Sequence, residues 1–165
     1  MNDETFQVEQ LDHVELYVSN QQEAAQWYER VLELEICREY KQWAAIGGPL
    51  MISSDGGKTK LALFQGHPHK PREAVDSQTD PNQRSHYYRV AFRVDGTRFI
   101  RFIDHLSEFS LTDIDGQQVT RDDVMDHELA FSLHFCDLDG NRIELTTYDY
   151  ESTAAVLESE KNTPT

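Results

Sequence analysis

The stretch LDHVELYVSNQQEAAQWYERVLEL, residues 11–34, decides the fold because a later part of the chain repeats its pattern. In this stretch an alternating strand pattern passes directly into a helical one. The later stretch YYRVAFRVDGTRFIRFIDHLSEF, residues 87–109, has the same order and nearly the same lengths. Superimposing the two copies places His13 on Arg89. A single duplication of this kind predicts two similar structural units and excludes a long repeat array.

A further strand is predicted to close each copy. The segments KLALFQ at residues 60–65 and RIELTTY at residues 142–148 occupy corresponding places, so Ala62 falls on Glu144 in the repeat. Each copy is therefore expected to have the element order βαβββ and a mixed, largely antiparallel sheet. The other strands are expected at residues 36–40 and 43–53 in the first copy, and at 110–112, 117–120 and 130–136 in the second.

Both predicted helices have an apolar face of the kind that packs on a sheet. Asn20 is expected to cap the first helix, and Trp27 and Tyr28 lie among apolar residues at helical spacing. Core packing accounts for these two aromatic residues without a cofactor site. The second helix carries Phe99 and Ile103 at the same kind of spacing.

The pattern also predicts how the chain is divided. Between the two copies lies a Pro- and His-rich segment without periodicity, which is either a linker or a lid. After the second copy the chain is polar and charged, and a short, fraying helix is expected there. The predicted boundaries are residues 10–65 for the first module, 66–86 for the linker or lid, 87–150 for the second module and 151–165 for the tail, with both modules forming one domain.

The composition excludes several partners. The 165-residue chain has 15 Lys and Arg against 30 Asp and Glu, so its formal net charge is -15. Such a charge repels nucleic acid and anionic membranes, and no run approaches the length of a membrane span. The acidic residues are scattered and predict a solvated surface. Two cysteines and a polar start without a signal-peptide pattern favour a cytoplasmic protein.

The motifs at the two ends of the repeat resemble a known family. LDHVELYVS followed by a helix with Trp27-Tyr28-Glu29, and the closing FCDLDGNRIEL, resemble the vicinal oxygen chelate superfamily over residues 10–150. This group includes glyoxalase I, extradiol dioxygenases, fosfomycin-resistance thiol transferases and bleomycin-binding proteins. Leu138 stands where the family usually has proline. The resemblance implies an α+β, glyoxalase-like fold in which two paired βαβββ modules form a cup-shaped mixed sheet, and it implies a homodimer.

The resemblance also implies a site for a divalent metal such as iron, manganese, nickel or zinc. Family members commonly offer four ligand positions on the first and last strands of the two modules. His13 and Glu144 occupy two of them as the family pattern requires. Arg89 stands where a second histidine is expected, and Ala62 stands where a carboxylate is common. The best substitute for the third ligand is His134 in the neighbouring strand FSLHFC, and His86, just before the strand of Arg89, is the second choice.

Arg89 leaves two structural alternatives open. If it shares a cavity with Glu144, the two can form a bidentate salt bridge that replaces the metal, because a guanidinium cannot bind a metal ion. If a one-residue bulge turns Arg89 outward, Tyr88 points inward instead. Tyr88 and Tyr148 could also line a pocket for an aromatic or apolar substrate, and we take Arg89, Tyr88 and Tyr148 as candidate substrate-binding residues.

Two functional hypotheses follow from these residues. The first is a dioxygenase-like or lyase-like enzyme that uses a divalent metal, bound by His13, Glu144 and His134, on a small molecule with vicinal oxygens. The second is a metal-free protein that binds a small cationic antibiotic, as bleomycin-resistance proteins do. His13 and Glu144 favour the enzyme. Arg89 and Ala62 favour the binding protein.

Overall fold

The computed structural model describes residues 9–66 and 89–161. The chain divides into two compact units, Met1–Arg72 and Glu73–Thr165. Most of the predicted linker or lid lies outside the described residues, and so do the candidate residues His86 and Tyr88. None of the described helices is long and apolar enough to cross a membrane.

The first unit has the predicted βαβββ order. Its sheet has four strands in the order β1-β4-β3-β2, in which β1 and β4 run parallel and the other neighbours run antiparallel. The elements are β1 (His13–Val18), α1 (Gln21–Leu32), β2 (Glu35–Ile36), a 3-10 turn (Arg38–Tyr40), α2 (Lys41–Ala45), β3 (Leu50–Ser53) and β4 (Lys60–Gln65).

Local sequence explains where α1 lies and which way it faces. The side chain of Asn20 accepts hydrogen bonds from the backbone N–H groups of Gln22 and Glu23, as predicted for the cap. On α1, Trp27 and Tyr28 are buried as predicted core residues. In β1 the buried Leu16 alternates with polar residues, so the sheet packs one face on the helix and leaves the other face polar.

The second unit repeats this plan. Its sheet has the order β5-β8-β7-β6, with β5 parallel to β8 and the other pairs antiparallel. The elements are β5 (Val90–Arg93), α3 (Gly96–Asp104), α4 (Leu106–Phe109), a 3-10 turn (Arg121–Asp123), β6 (Met125–Asp126), β7 (Phe131–Cys136), β8 (Arg142–Thr147) and α5 (Tyr150–Lys161).

Strand pairing confirms the alignment of the two copies. In the first unit Glu15 of β1 lies beside Ala62 of β4. In the second unit Ala91 of β5 lies beside Glu144 of β8. These are the pairs that result when His13 is placed on Arg89 and Ala62 on Glu144. The α+β fold class with two mixed four-stranded sheets is likewise confirmed.

Several predicted strands are wrong in extent. Residues 38–45 form a 3-10 turn and the short helix α2 instead of strand. The apolar run from Trp43 to Ile46 lies at the end of α2, and β3 begins only at Leu50, beyond Gly47, Gly48 and Pro49. In the second unit the predicted strands at 110–112 and 117–120 are reduced to isolated bridges of Thr112.

The tail after the second copy carries more order than a fraying end. Helix α5 runs to Lys161, and its first turn packs against the start of α3. Thr153 is buried there, and Asp149 accepts a hydrogen bond from the backbone N–H of Gly96 at 2.9 Å. Helix α5 is therefore part of the second unit's packing.

Candidate functional site

The open face of the second sheet brings three of the predicted site residues together. Glu144 lies on the central strand β8, where Ala91 flanks it on one side and His134 of β7 on the other. Arg89 precedes β5 by one residue. Because residues that pair directly across neighbouring strands project to the same side of a sheet, Glu144 and His134 point to the same face. The guanidinium of Arg89 reaches this face as well, so the outward orientation expected from a bulge does not occur.

The three side chains form a partly buried charged cluster. The Nη1 of Arg89 donates a hydrogen bond to the Oε2 of Glu144 at 3.2 Å, and their side chains are 28% and 20% exposed. The same Nη1 lies 3.1 Å from the Nδ1 of His134 and also contacts its Nε2. The Nε2 of His134 lies 3.5 Å from the Oε2 of Glu144. Arg89 therefore neutralises the carboxylate that was predicted to bind a metal.

The surroundings of His134 favour its neutral form. Burial lowers the pKa of His134 below the usual 6.5, and the positive charge of Arg89 lowers it further, while Glu144 acts in the opposite direction. The buried hydroxyl of Ser132 lies 3.4 Å from the Nε2 of His134 and 2.8 Å from the Nε2 of His127. A continuous polar chain thus runs from His127 to Arg89 across this face.

A cleft of about 320 Å³ opens beside this cluster. Its volume is at the lower end of the range for small-molecule sites. The lining combines guanidinium groups, carboxylates and apolar side chains. It consists of Arg89, Asp113, Ile114, Val119, Asp123, Met125, His134, Phe135, Cys136, Arg142 and Ile143.

Tyr148 and Cys136 add nothing reactive to the cleft. Tyr148, predicted to bind substrate, is exposed beyond the end of β8, where the guanidinium of Arg93 lies 5.2 Å from its ring centre. It does not line the cleft. The thiol of Cys136 does, but burial raises its pKa, which favours the inert thiol form.

In the first unit the predicted ligand His13 stands at the start of β1. Its Nδ1 lies 2.7 Å from the Oδ2 of Asp12, and its Nε2 lies 3.8 Å from the Oε1 of Glu15. Asp12 in turn accepts a hydrogen bond from Lys60 at 2.9 Å. These hydrogen bonds from His13 and Lys60 lower the pKa of Asp12, which is therefore ionised near neutral pH.

The donor sets of the two units differ in how well they suit a divalent metal. In the second unit the guanidinium of Arg89 contacts both Glu144 and His134, and its fixed charge repels a dication, so this pair does not fit a metal. Within the described residues, no group of three or more His, Cys, Asp and Glu side chains converges on one point. His13 and Glu144 belong to different units. Their shared metal role with His134 stays a prediction.

Glu15 is not among the residues that the sequence predicts for a site. It lies beside Ala62, the position where the resemblance implies a carboxylate. One unit has Glu15 beside Ala62, and the other has Ala91 beside Glu144. Each sheet therefore carries one carboxylate at this level, but on different strands.

Comparison with known proteins identifies the family. The model of the Glyoxalase/Bleomycin resistance protein/Dioxygenase superfamily matches residues 10–145. The chain belongs to this superfamily. Members of the superfamily commonly use divalent metals. Among curated proteins, none matches this sequence at a significant level.

Solved structures share the fold at low sequence identity. A glyoxalase/dioxygenase from Nostoc punctiforme is 21% identical, with a TM-score of 0.55 over 85% of this chain and 91% of that one. The oxidase ChaP-H2 is 17% identical, with a TM-score of 0.58 over 87% and 97% of the two chains. The fosfomycin resistance protein FosX from Mesorhizobium loti is 18% identical, with a TM-score of 0.53 over 86% and 93%. At these identities the similarity concerns the fold alone.

Proposed function

We propose that this superfamily member binds a small molecule in the cleft of its second unit, and that it does so without a divalent metal on Glu144. The observation that carries this proposal is the 3.2 Å contact between the Nη1 of Arg89 and the Oε2 of Glu144. A metal ion bound to that oxygen would lie about 2.1 Å from it and would compete with the guanidinium for the same space. Arg89 supplies the positive charge that a metal would otherwise supply.

The electrostatics of the cluster support this proposal. A partly buried carboxylate needs a partner, and Arg89 is one, so no metal is required to stabilise Glu144. His134 is biased toward its neutral form and can donate or accept a hydrogen bond from a ligand. Both Arg89 and His134 line the cleft, as do Arg142 and Asp123. The mixed charges favour a ligand that carries both hydrogen-bond donors and acceptors.

Metal analysis tests the absence of a metal on Glu144. Wild-type protein and the Glu144→Gln variant are purified without chelator, and their bound metal is measured by mass spectrometry. We expect the two proteins to have the same metal content, since Glu144 is paired with Arg89. Loss of a stoichiometric metal from the variant alone would refute the proposal and would support a metal-dependent enzyme.

Ligand binding is tested by NMR with a panel of small carboxylic acids, hydroxamic acids and 2-oxo acids. Binding in the cleft is expected to shift amide signals of residues such as Val119 and Cys136, which line it. The Arg89→Met variant should bind more weakly, whereas Arg98→Met, which removes an exposed arginine of α3, should bind as the wild type does. Signal shifts elsewhere, with none at the cleft, would contradict this location.

A dioxygenase-like or lyase-like enzyme remains a second candidate. The imidazole of His13 favours it, because the carboxylate of Asp12 holds Nδ1 at 2.7 Å and leaves Nε2 available as a ligand. This candidate would need Glu144 and His134 as the other ligands, and in this structure both contact the guanidinium of Arg89. If the protein is instead a metal-free binding protein, its ligand would be a small cationic antibiotic. Submicromolar binding of bleomycin that collapses with salt would support that alternative.

We also propose a homodimer in a reducing compartment such as the cytoplasm. The dimer rests on the superfamily, and the compartment on the free, buried thiols of Cys37 and Cys136. Light scattering at micromolar concentration is expected to give twice the 19.1 kDa mass of one chain. A mass of one chain would refute the dimer.

A further inference from the structure

The second unit contains another cavity, on the opposite face of its sheet from the cleft. The volume of this cavity is about 340 Å³, which is within the range for small-molecule sites. Phe131 of β7 lines it, whereas His134 of the same strand lines the cleft. These two residues are three positions apart, so their side chains project to opposite faces of the sheet. The cavity is therefore separate from the cleft, and it lies where α5 meets the chain that leads into β6.

The floor of this cavity is apolar and partly aromatic. The rings of Phe131 and Tyr150 are stacked there, with 4.9 Å between their centres and an angle of 6° between their planes. The floor is completed by half-buried aliphatic side chains, namely Val124, Ala154 and Leu157. A flat apolar molecule can pack on such a surface, and aromatic rings also attract organic cations.

The rim of the cavity carries mostly negative charge. It consists of the carboxylates of Asp122, Asp126 and Glu158 together with the guanidinium of Arg121. The Nη1 of Arg121 lies 2.6 Å from the Oδ1 of Asp104, which is outside the lining, so part of this positive charge is already balanced. A concave surface with an excess of one charge attracts ligands of the opposite charge. The rim therefore favours a cation.

The hydroxyl of Tyr150 reports the same negative field. It donates a hydrogen bond to the Oδ2 of Asp126 at 3.0 Å. This hydrogen bond raises the pKa of Tyr150, and burial and the charges of Asp126, Glu128 and Glu158 raise it further. Within the part of the chain that the structure describes, no three side chains of the metal-binding types converge on one point. A larger cation with an apolar body therefore fits this cavity better than a metal ion does.

We propose that this cavity binds a small organic cation with a flat apolar body, such as an arylalkylamine. The apolar body packs on the floor formed by Phe131, Tyr150 and Leu157, and the ammonium group lies at the rim near Asp126 and Glu158. Because the cavity and the cleft are on opposite faces of the sheet, this inference goes beyond the proposed function and does not depend on it.

NMR titration of the full-length protein with 2-naphthylmethylamine tests the inference. We expect saturable binding of one amine per chain, with shifts of the amide signals of Val124 and Leu157, which line the cavity. The uncharged analogue 2-naphthylmethanol has the same apolar body. It should bind at least about tenfold more weakly, because it forms no ion pair with the carboxylates of the rim.

Variants of the rim and the floor locate the site. Asp126→Asn, which keeps an acceptor for the hydroxyl of Tyr150, and Glu158→Gln should each weaken amine binding about two- to fivefold, the range for an exposed ion pair. Both should leave alcohol binding unchanged. Ala154→Phe places a ring in the cavity and should remove binding of both compounds. The matched control is Asp115→Asn, which removes the same charge from an exposed turn outside both cavities and should bind as wild type does. Circular dichroism checks that each variant is folded.

Three outcomes would overturn the inference. The first is wild-type protein without saturable amine binding, or with equal affinity for the amine and the alcohol. The second is equal weakening by Asp126→Asn and Asp115→Asn, because binding would then follow net charge alone. The third is a set of shifts at Val119 and Cys136 with none at this cavity, which would place the amine in the cleft and leave the proposed function intact.

Discussion

Arg89 donates from Nη1 to the Oε2 of Glu144 at 3.2 Å, and this contact joins the start of one strand to the centre of its parallel neighbour. The repeat equivalents of these residues are His13 and Ala62, which lack the charges for such a pair. The two units thus share one backbone arrangement but differ in the chemistry of their open faces. Arg89 and Glu144 form an ion pair in the second unit, whereas His13 lies beside Asp12 in the first.

The ion pair is expected to contribute to stability. Glu144→Ala leaves the guanidinium of Arg89 partly buried beside His134 without its carboxylate, and we expect a loss of about 1–3 kcal/mol in the free energy of unfolding. Fully buried pairs lose roughly 3–5 kcal/mol, and the partial exposure of this one reduces the effect. Urea denaturation measures the change. Glu35→Ala, at an exposed position of β2, serves as control and should stay within about 0.5 kcal/mol of wild type.

A double-mutant cycle isolates the pair itself. Arg89→Ala and Glu144→Ala should cost less together than the sum of their separate effects, because the second substitution removes a charge that the first left without its partner. Additive effects within the error of the measurement would contradict a coupled pair.

Stability should also depend on pH through His134. Its pKa is lower in the folded chain than the usual 6.5, mainly because of burial and then because of Arg89. Between these two pKa values the unfolded chain binds more protons than the folded one. The contribution of His134 to the free energy of unfolding is therefore complete above pH 6.5, where the imidazole is neutral in both states. This contribution is lost as the pH falls through the pKa of the folded state. His134→Gln should show a smaller loss of stability than wild type over this interval.

NMR titration of the imidazole carbon signals checks the cause directly. The pKa of His134 should lie below 6.5 in wild type and should rise in the Arg89→Met variant, because a positive charge has been removed. Glu144 and His127 are the other charged groups that act on His134, and they remain in this variant. A wild-type value at or above 6.5, or no change in Arg89→Met, would show that this account of the cluster is wrong. His105→Gln, which removes a histidine outside the cluster, serves as the control and should leave the pKa of His134 unchanged.

The cap of α1 gives a prediction at the level of local structure. The Oδ1 of Asn20 accepts hydrogen bonds from the backbone N–H groups of Gln22 at 3.0 Å and Glu23 at 3.2 Å. Asn20→Ala removes this acceptor and should lower the free energy of unfolding by about 1 kcal/mol, measured by urea denaturation. Asn20→Asp keeps an acceptor at the helix start and should stay close to wild type. An equal loss in both variants would contradict the role of the side-chain acceptor, and no loss in Asn20→Ala would show that the cap contributes nothing.

Periodicity made the fold predictable. Strand alternation followed by a helical pattern occurs twice, and the equivalence of His13 with Arg89 is what the strand pairing shows. Short elements were harder to predict from the sequence, because an apolar run such as that from Trp43 to Ile46 is compatible with a helical turn as well as with a strand. Only the tertiary context, with β3 starting at Leu50, decides between them.

The candidate site was predictable only in part. The sequence identified Glu144, His134 and Arg89 and left open whether Arg89 faced Glu144. That contact depends on where a long side chain points, which strand alternation does not determine for a residue just before a strand. The sequence did not predict that Glu15 lies beside Ala62, because the two residues belong to different strands. Cross-strand pairs of this kind appear only when the register is known.

The last prediction concerns Gly96, which begins α3 where α5 packs against it. A Cβ at this position would lie 2.8 Å from the Oγ1 of Thr153 and 3.1 Å from the Cβ of Asp149, closer than side chains normally approach. Gly96→Ala should therefore lower the free energy of unfolding by about 1–3 kcal/mol, although alanine favours a helix by up to about 1 kcal/mol. Thermal and urea denaturation measure this loss. Because the nearest atom is a hydroxyl oxygen, Thr153→Ala should cost less in the Gly96→Ala background than in wild type. Full additivity of the two substitutions, or a more stable Gly96→Ala protein, would contradict the close packing of α3 on α5.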